Sequence, residues 1–228
     1  MIENLKHICF DLDDTLYEQI TPFKEAVLQI HSIPDERIRE VYNSFRTRSN
    51  EMFFLHQKQK ITFEEMYQKR IQLAMKDHGM DITEKEAMAF QTQYQRGQYE
   101  ISLSDTIRDM LTYMKGKGVK ISIITNGPTQ HQQRKIDSLG LQEWVDTKDI
   151  VISSSVGISK PDKRIFHLVD IHSLYIGDSY ENDVVGAKNA GWDVIWLNKY
   201  GAVDTEQLAD YTVTNDQELF HLVKKLIA

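Results

Sequence analysis

The stretch "ICFDLDDTLYE" (Ile8 to Glu18) decides how the rest of the chain is read. Three apolar residues run straight into Asp11, with Asp13 and Asp14 crowded behind it. A short apolar run bounded by turn-forming acids reads as a buried strand. Carboxylates packed that closely repel one another, so the strand end calls for a cation or a retained proton.

Composition limits the possibilities. At 228 residues, with 41% hydrophobic and 27% charged, the chain is long enough for a full core and one smaller module. A formal net charge of -7 and a pI near 5.6 argue against a non-specific nucleic-acid binder, which needs a basic face to displace counterions from phosphates. Any phosphate site must therefore be local. Cys9 is the lone cysteine, so no internal disulfide forms, and in an apolar strand it reads as a small buried hydrophobe. No charged-then-apolar leader or membrane-length apolar run is visible, and the expectation is a soluble cytoplasmic protein without a membrane partner.

The pattern divides the chain. From about Thr21 to Tyr99 no strand is read, and helix starts recur: Thr21 before Pro22, and "TFEE" (Thr62 to Glu65) and "TEKE" (Thr83 to Glu86) as capping boxes. After Ser104, helices alternate with "VKISIIT" (Val119 to Thr125), "IVIS" (Ile150 to Ser153), "LYIG" (Leu174 to Gly177) and "DVIWLN" (Asp193 to Asn198). With "HICF" these make a parallel sheet of about five strands wrapped by crossover helices. The expected fold is α/β: a doubly wound parallel sheet over 1–16 and 100–228, with an inserted α-helical domain over 17–99. Ligands of such sheets bind beyond the carboxyl ends of the strands, where Asp11, Thr125, Lys160, Asp178 and Asp183 all fall.

Taken alone, "DLDDT" (Asp11 to Thr15) is as consistent with a surface acidic turn as with a site. Together with "TNG" (Thr125 to Gly127), "SKP" (Ser159 to Pro161) and "GDSYEND" (Gly177 to Asp183), in that order and each at a strand end, it resembles the haloacid dehalogenase superfamily of phosphotransferases. The helical insertion after the first motif resembles its α-helical cap type. "TNGPTQHQQRKIDSLGL" and "GAKNAGWDVIWLN" are similar to the branch containing bacterial pyrimidine 5'-nucleotidases and related small-molecule phosphatases. One departure is that only His167 to Ser173 separate "KPDKRIF" from "LYIGD", which shortens a crossover and puts the packing there in question.

The resemblance implies the roles. Asp11 is the nucleophile that forms an aspartyl-phosphate, and Asp13 is the acid for the leaving oxygen and then the base for water. Asp13 must then hold a proton, which neighbouring Asp11 is expected to favour by raising its pKa. Thr15 orients Asp13. Lys160 offsets the charge of the phosphate and of Asp11, and Thr125 with the backbone amides of Asn126 and Gly127 binds phosphate oxygens. Each like-charge pair at about 4 Å costs on the order of 4 kcal/mol at an effective dielectric of about 20, so a metal is required. Hard oxygen donors and a phosphate partner point to Mg2+. Its ligands by resemblance are Asp11, the Asp13 backbone carbonyl and Asp178, with Asp183 orienting metal-bound water.

The remaining features read more plainly. The histidines match no metal spacing, and His131 is expected on a helix surface. Phe53, Phe54 and His56 either face a substrate base or, more commonly for such residues, fill the core between helices. Tyr17 and Gln19 are placed to touch substrate, and Trp192 and Trp196 to pack. The implied function is Mg2+-dependent hydrolysis of a small phosphorylated metabolite, with a nucleoside 5'-monophosphate suggested by the branch. Three alternative functions compete with it. A dehalogenase has no use for Asp13, because halide leaves without a proton. A phosphomutase typically carries glycine where this chain has Asp14. A silent binding module predicts loss of a charged motif residue, and none is lost.

Overall fold

The computed structural model describes residues 5–169, 173–202 and 206–227. The chain forms two compact units, one made of the residues up to Glu18 and from Ser102 onward, the other of Gln19–Ile101. No helix among the described residues is long and apolar enough to cross a membrane.

The first unit is built on a six-stranded sheet of order β3-β2-β1-β4-β5-β6, with every pairing parallel. The strands are β1 His7–Phe10, β2 Lys120–Thr125, β3 Ile150–Ile152, β4 Leu174–Gly177, β5 Asp193–Leu197 and β6 Tyr211–Val213. Ile8 pairs with both Ile121 and Leu174, which puts β1 at the centre. The first five strands match the apolar runs of the sequence. The edge strand β6 was not anticipated, because its three residues show a single buried side chain, Val213. The flanking helices of this unit are α5 Asp105–Gly116, α6 Thr129–Ser138, the short α7 Ser153–Val156, α8 Lys163–Phe166 and α9 Gly186–Asn189, and α10 Asp216–Ile227. In the shortened crossover, Phe166 is fully buried with its ring 5.1 Å from that of Tyr175 and 5.7 Å from that of Trp192. Residues 170–172 of this connection lie outside the described residues. Cys9, Trp192 and Trp196 belong to the same buried cluster, as packing residues should.

The second unit is all helical: α1 Ile20–Ile30, α2 Asp35–Gln57, α3 Phe63–Asp77 and α4 Glu84–Gly97. Both capping boxes form, with Thr62 and Glu65 satisfying each other's exposed donors at the start of α3, and Thr83 and Glu86 doing so at α4. Thr21 is not a cap. The helix begins at Ile20, whose side chain is drawn into the core, and Pro22 falls within the first turn, where its missing N–H costs nothing. The core is aromatic: Phe23, Tyr42, Phe45, Phe90 and Tyr94 meet with ring centroids 5.1 to 6.4 Å apart. Phe53 and Phe54 do not fill it. They stand on α2 at 50% and 57% exposure, while the His56 ring lies tilted against that of Phe63, with centroids 3.9 Å apart.

Candidate active site

The parallel register brings the carboxyl ends of β1, β2 and β4 to one edge of the sheet. Asp11 follows β1, and its amide continues the ladder by donating to the Ile176 carbonyl at 2.9 Å. Asp178 follows β4 and is steadied from behind, because Trp196 Nε1 donates to its carbonyl at 2.8 Å. Asp183 returns on a π-helical turn, Tyr180–Val185. Gly177 makes room for it: a Cβ there would lie 2.4 Å from Asp183 Cγ.

Lys160 ties these acids together. Its buried Nζ donates to Asp11 Oδ1 at 2.6 Å, to Asp183 Oδ1 at 2.5 Å and to the Tyr175 hydroxyl at 2.9 Å. Burial opposes the charge, but the Asp11 and Asp183 carboxylates outweigh it and hold the Lys160 pKa above its ordinary value. The Lys160 backbone is clamped by Asn126, whose Nδ2 donates to the Lys160 carbonyl and whose Oδ1 accepts from its amide, both at 2.9 Å.

The carboxylates of Asp11, Asp178 and Asp183 each offer an oxygen within 4.8 Å of the others. Burial pushes the Asp178 pKa up to about 9, with the charges of Asp11, Asp183 and Asp14 adding to it. Burial likewise raises Asp11 to about 7, against the pull of Lys160. Two carboxyls that resist ionisation side by side suit a hard divalent cation. Asp183 is already spoken for: Oδ1 accepts from Lys160 and Tyr175, and Oδ2 accepts from the Ser179 amide at 2.9 Å. Asp11 and Asp178 are therefore the side chains best able to hold a divalent metal ion, and their hard oxygen donors fit such an ion.

Asp13 turns away from this cluster toward α6. Its Oδ1 accepts from Lys135 Nζ at 2.7 Å and from the Tyr17 hydroxyl, and Oδ2 accepts from Gln132 Nε2 at 2.8 Å. This corrects the expectation of a raised pKa. Burial does push Asp13 up, but the Lys135 charge and these three hydrogen bonds override it and hold the carboxyl below its usual range. Thr15 does not orient Asp13: its hydroxyl is buried with no hydrogen-bond partner among the described residues. Tyr17 is buried and committed to Asp13, and Gln19 Oε1 accepts from Tyr42 at 3.3 Å, so neither is the free substrate contact the sequence suggested. Asp14 has a φ of 59°, in the left-handed region that glycine normally supplies and that aspartate tolerates.

The segment after β2 is more committed than anticipated. Thr125 Oγ1 accepts from Gln132 Nε2 at 2.5 Å, which leaves the threonine hydrogen to donate. The Gly127 amide donates to Ser153 Oγ at 3.0 Å rather than standing open for phosphate. Gly127 has a φ of +151°, and a Cβ there would lie 3.0 Å from the Gln132 side chain, so glycine is needed for that residue to pack over it. His131 is half-buried rather than on the open surface. Burial, helped by the Lys135 charge, lowers its pKa to about 4.

Sequence reasoning passed over Gln132, Lys135 and Tyr175. A signal for the first two exists: on an otherwise polar α6, Gln132, Lys135 and Ile136 form the buried stripe. A glutamine and a lysine on that stripe need partners. Tyr175 carries no such signal, because in "LYIG" it reads as one more apolar residue.

The sequence profile of the haloacid dehalogenase-like hydrolases matches residues 5–191. The pyrimidine 5'-nucleotidase YjjG of Escherichia coli is 35% identical over 125 residues, which is 51% of this chain and 54% of YjjG. The chain thus spans about half the length of the first curated relatives it matches. The solved structure of YfnB from Bacillus subtilis, bound to magnesium, superposes with a TM-score of 0.68 at 22% identity, covering 97% of this chain and 99% of that one. A solved dehalogenase gives 0.73 at 16% identity, covering 97% and 98%. At those identities the structures establish a shared fold.

Proposed function

The chain belongs to the haloacid dehalogenase-like hydrolase family, and from that premise we propose that it hydrolyses phosphate monoesters of small metabolites with the help of Mg2+. The observation that carries this reading is the separation of two neighbouring carboxylates onto two different cations, Asp11 on Lys160 and Asp13 on Lys135. In this reading Asp11 serves as the nucleophile and Asp13 as the proton carrier. Attack of an Asp11 oxygen on phosphorus forms an aspartyl-phosphate as the ester P–O bond breaks, and Asp13 passes its proton to the leaving oxygen. Water then attacks the intermediate, Asp13 takes the proton, and Asp11 and inorganic phosphate are released. Asp13 rests as an anion; the approach of a phosphate dianion raises its proton affinity against the pull of Lys135, and Asp13 takes from solvent the proton that it then passes to the leaving oxygen. Lys160 holds Asp11 in register, and the Thr125 hydroxyl donates to a phosphate oxygen. A divalent cation between Asp11 and Asp178 would neutralise phosphate charge and align it for displacement.

In this reading the helical unit serves as the cap that selects the substrate, and similarity to YjjG makes a pyrimidine nucleoside monophosphate the first candidate. The dehalogenase alternative leaves Asp13 and its three donors without a task, because halide departs unprotonated. A panel of phosphate esters tests the proposal. Phosphate release should require Mg2+ and fall at least about a hundred-fold in Asp11→Asn, since the covalent route is lost. Halide release from 2-haloacids with a higher kcat/KM than any phosphate ester would overturn it.

A further inference from the structure

Arg70 lies on α3 with its guanidinium carbon 4.9 Å from the ring centroid of Phe45, 5.1 Å from that of Tyr67 and 5.7 Å from that of Tyr94. Its Nη2 donates to Oε1 of Gln91, a buried residue of α4, at 2.5 Å. The Nε–H is buried without an acceptor among the described residues. Among the described residues, no carboxylate pairs with this guanidinium. Elsewhere in the same unit, Arg48 is paired with Asp77 and Glu51, and Arg96 with Glu100, at positions where water already screens the charge. Arg70, largely withdrawn from water, has no acid, and burial lowers its pKa.

Packing does not account for this arrangement. Leucine or methionine would cover the same rings without desolvating a cation. Stacking on aromatic faces offsets part of the cost but supplies no acceptor; Nε is sealed and Nη2 is bonded to Gln91, which leaves the Nη1 end of the guanidinium as the place where oxygen atoms can meet it.

We propose that Arg70 is the receptor for an oxyanion, the carboxylate or phosphate of a small ligand, gripped by the edge of a guanidinium that Gln91 and the rings of Phe45, Tyr67 and Tyr94 hold in plane. Planar donors fixed in this way suit two-oxygen recognition. Two sources offer that chemistry: a second anionic group on the ester being hydrolysed, or a free anion acting as an effector. The first rests on the phosphatase reading above; the binding site itself does not.

The probe is inorganic phosphate, added to the full chain after metal is stripped on a chelating resin. The surroundings of Asp11 are the same in wild type and in the Arg70 variants, so the difference between them reports the Arg70 site. Wild type and Asp11→Asn should both show a saturable rise in melting temperature. In Arg70→Met the apparent affinity should weaken about ten-fold or more. Arg70→Lys keeps the charge and loses the fork, and should weaken binding about three-fold, which covers the case in which Arg70→Met fails to fold. Absence of saturable stabilisation in wild type, or wild-type affinity in the folded variants, overturns the site. A kinetic arm identifies the source by comparing a phosphate ester that carries a carboxylate with its amide analogue. If the anion belongs to the substrate, the kcat/KM preference for the carboxylate should drop about ten-fold in Arg70→Met. An unchanged preference together with lost phosphate binding supports the site with a free anion as its ligand. If wild type releases no phosphate from any ester, the proposed function fails while the binding result stands.

Discussion

Asp13 gives its two oxygens to three donors, and Lys135 is the charged one. Lys135→Met should therefore raise the Asp13 pKa and misplace the carboxyl. The expected loss in kcat is about 10- to 100-fold on alkyl phosphates, whose leaving oxygen needs a proton, and much less on p-nitrophenyl phosphate, which departs as a stable anion. A leaving-group series measures this directly, and equal losses across the series would refute the assignment. Thr15 makes the opposite case. Removing a buried hydroxyl that has no partner among the described residues should leave activity within about three-fold in Thr15→Val and stability unchanged or higher by up to about 1 kcal/mol, read from a denaturant melt. The sequence placed Asp11, Lys160, Asp178 and Asp183 at strand ends, and the register brings them together. It did not reveal Gln132 and Lys135 as partners of Asp13, because that meeting spans more than a hundred residues. Asp11 and Asp178, raised to about 7 and about 9, also set a pH dependence. Between about pH 4, where an unfolded aspartate ionises, and those values, the folded metal-free chain holds more protons than the unfolded chain. Its stability from this site should then fall as pH rises, and the melting-temperature gain on adding Mg2+ should be larger at pH 8 than at pH 6.

Where β4 gives way to the π-helical turn, spacing is tight enough for one methyl group to matter. In Gly177→Ala the new Cβ would meet Asp183 at 2.4 Å, so Asp183 must move and Lys160 loses one of its anchors. The expected result is a fall in kcat of about a hundred-fold or more, with a loss of about 1–3 kcal/mol of stability from overpacking. Retention of wild-type kcat would show that Lys160 does not depend on Asp183. Helix starts in the second unit were legible wherever a side chain closes the backbone locally, as at Thr62 and Thr83. Local bonds leave local signatures. The start of α1 was not legible, because burial of Ile20 rather than a cap selects it. Strand β6 was missed for a similar reason, since its place comes from pairing with β5 and not from an apolar run of its own.

Each of the two units has a buried cluster of its own, and substitutions should respect that division. Phe45→Ala, in the aromatic centre of the helical unit, should cost about 3–5 kcal/mol and speed hydrogen exchange over residues 19–101 ahead of the sheet. Phe53→Ala and Phe54→Ala, on exposed positions, should stay within about 0.5 kcal/mol of wild type. A large loss at either position would mean that the ring packs against something in solution. The parallel register has a further consequence for synthesis. Strand β1 is pinned between β2 and β4, yet β2 leaves the ribosome about 110 residues after it and β4 about 165. At about 5–20 residues per second, β1 waits roughly 5–20 s for its first partner, while the helical unit can already have closed around its own rings. The residue assigned the first chemical step is thus made early and housed late. Throughout that interval Cys9, sealed in the finished sheet, stands open to any oxidant the nascent chain meets.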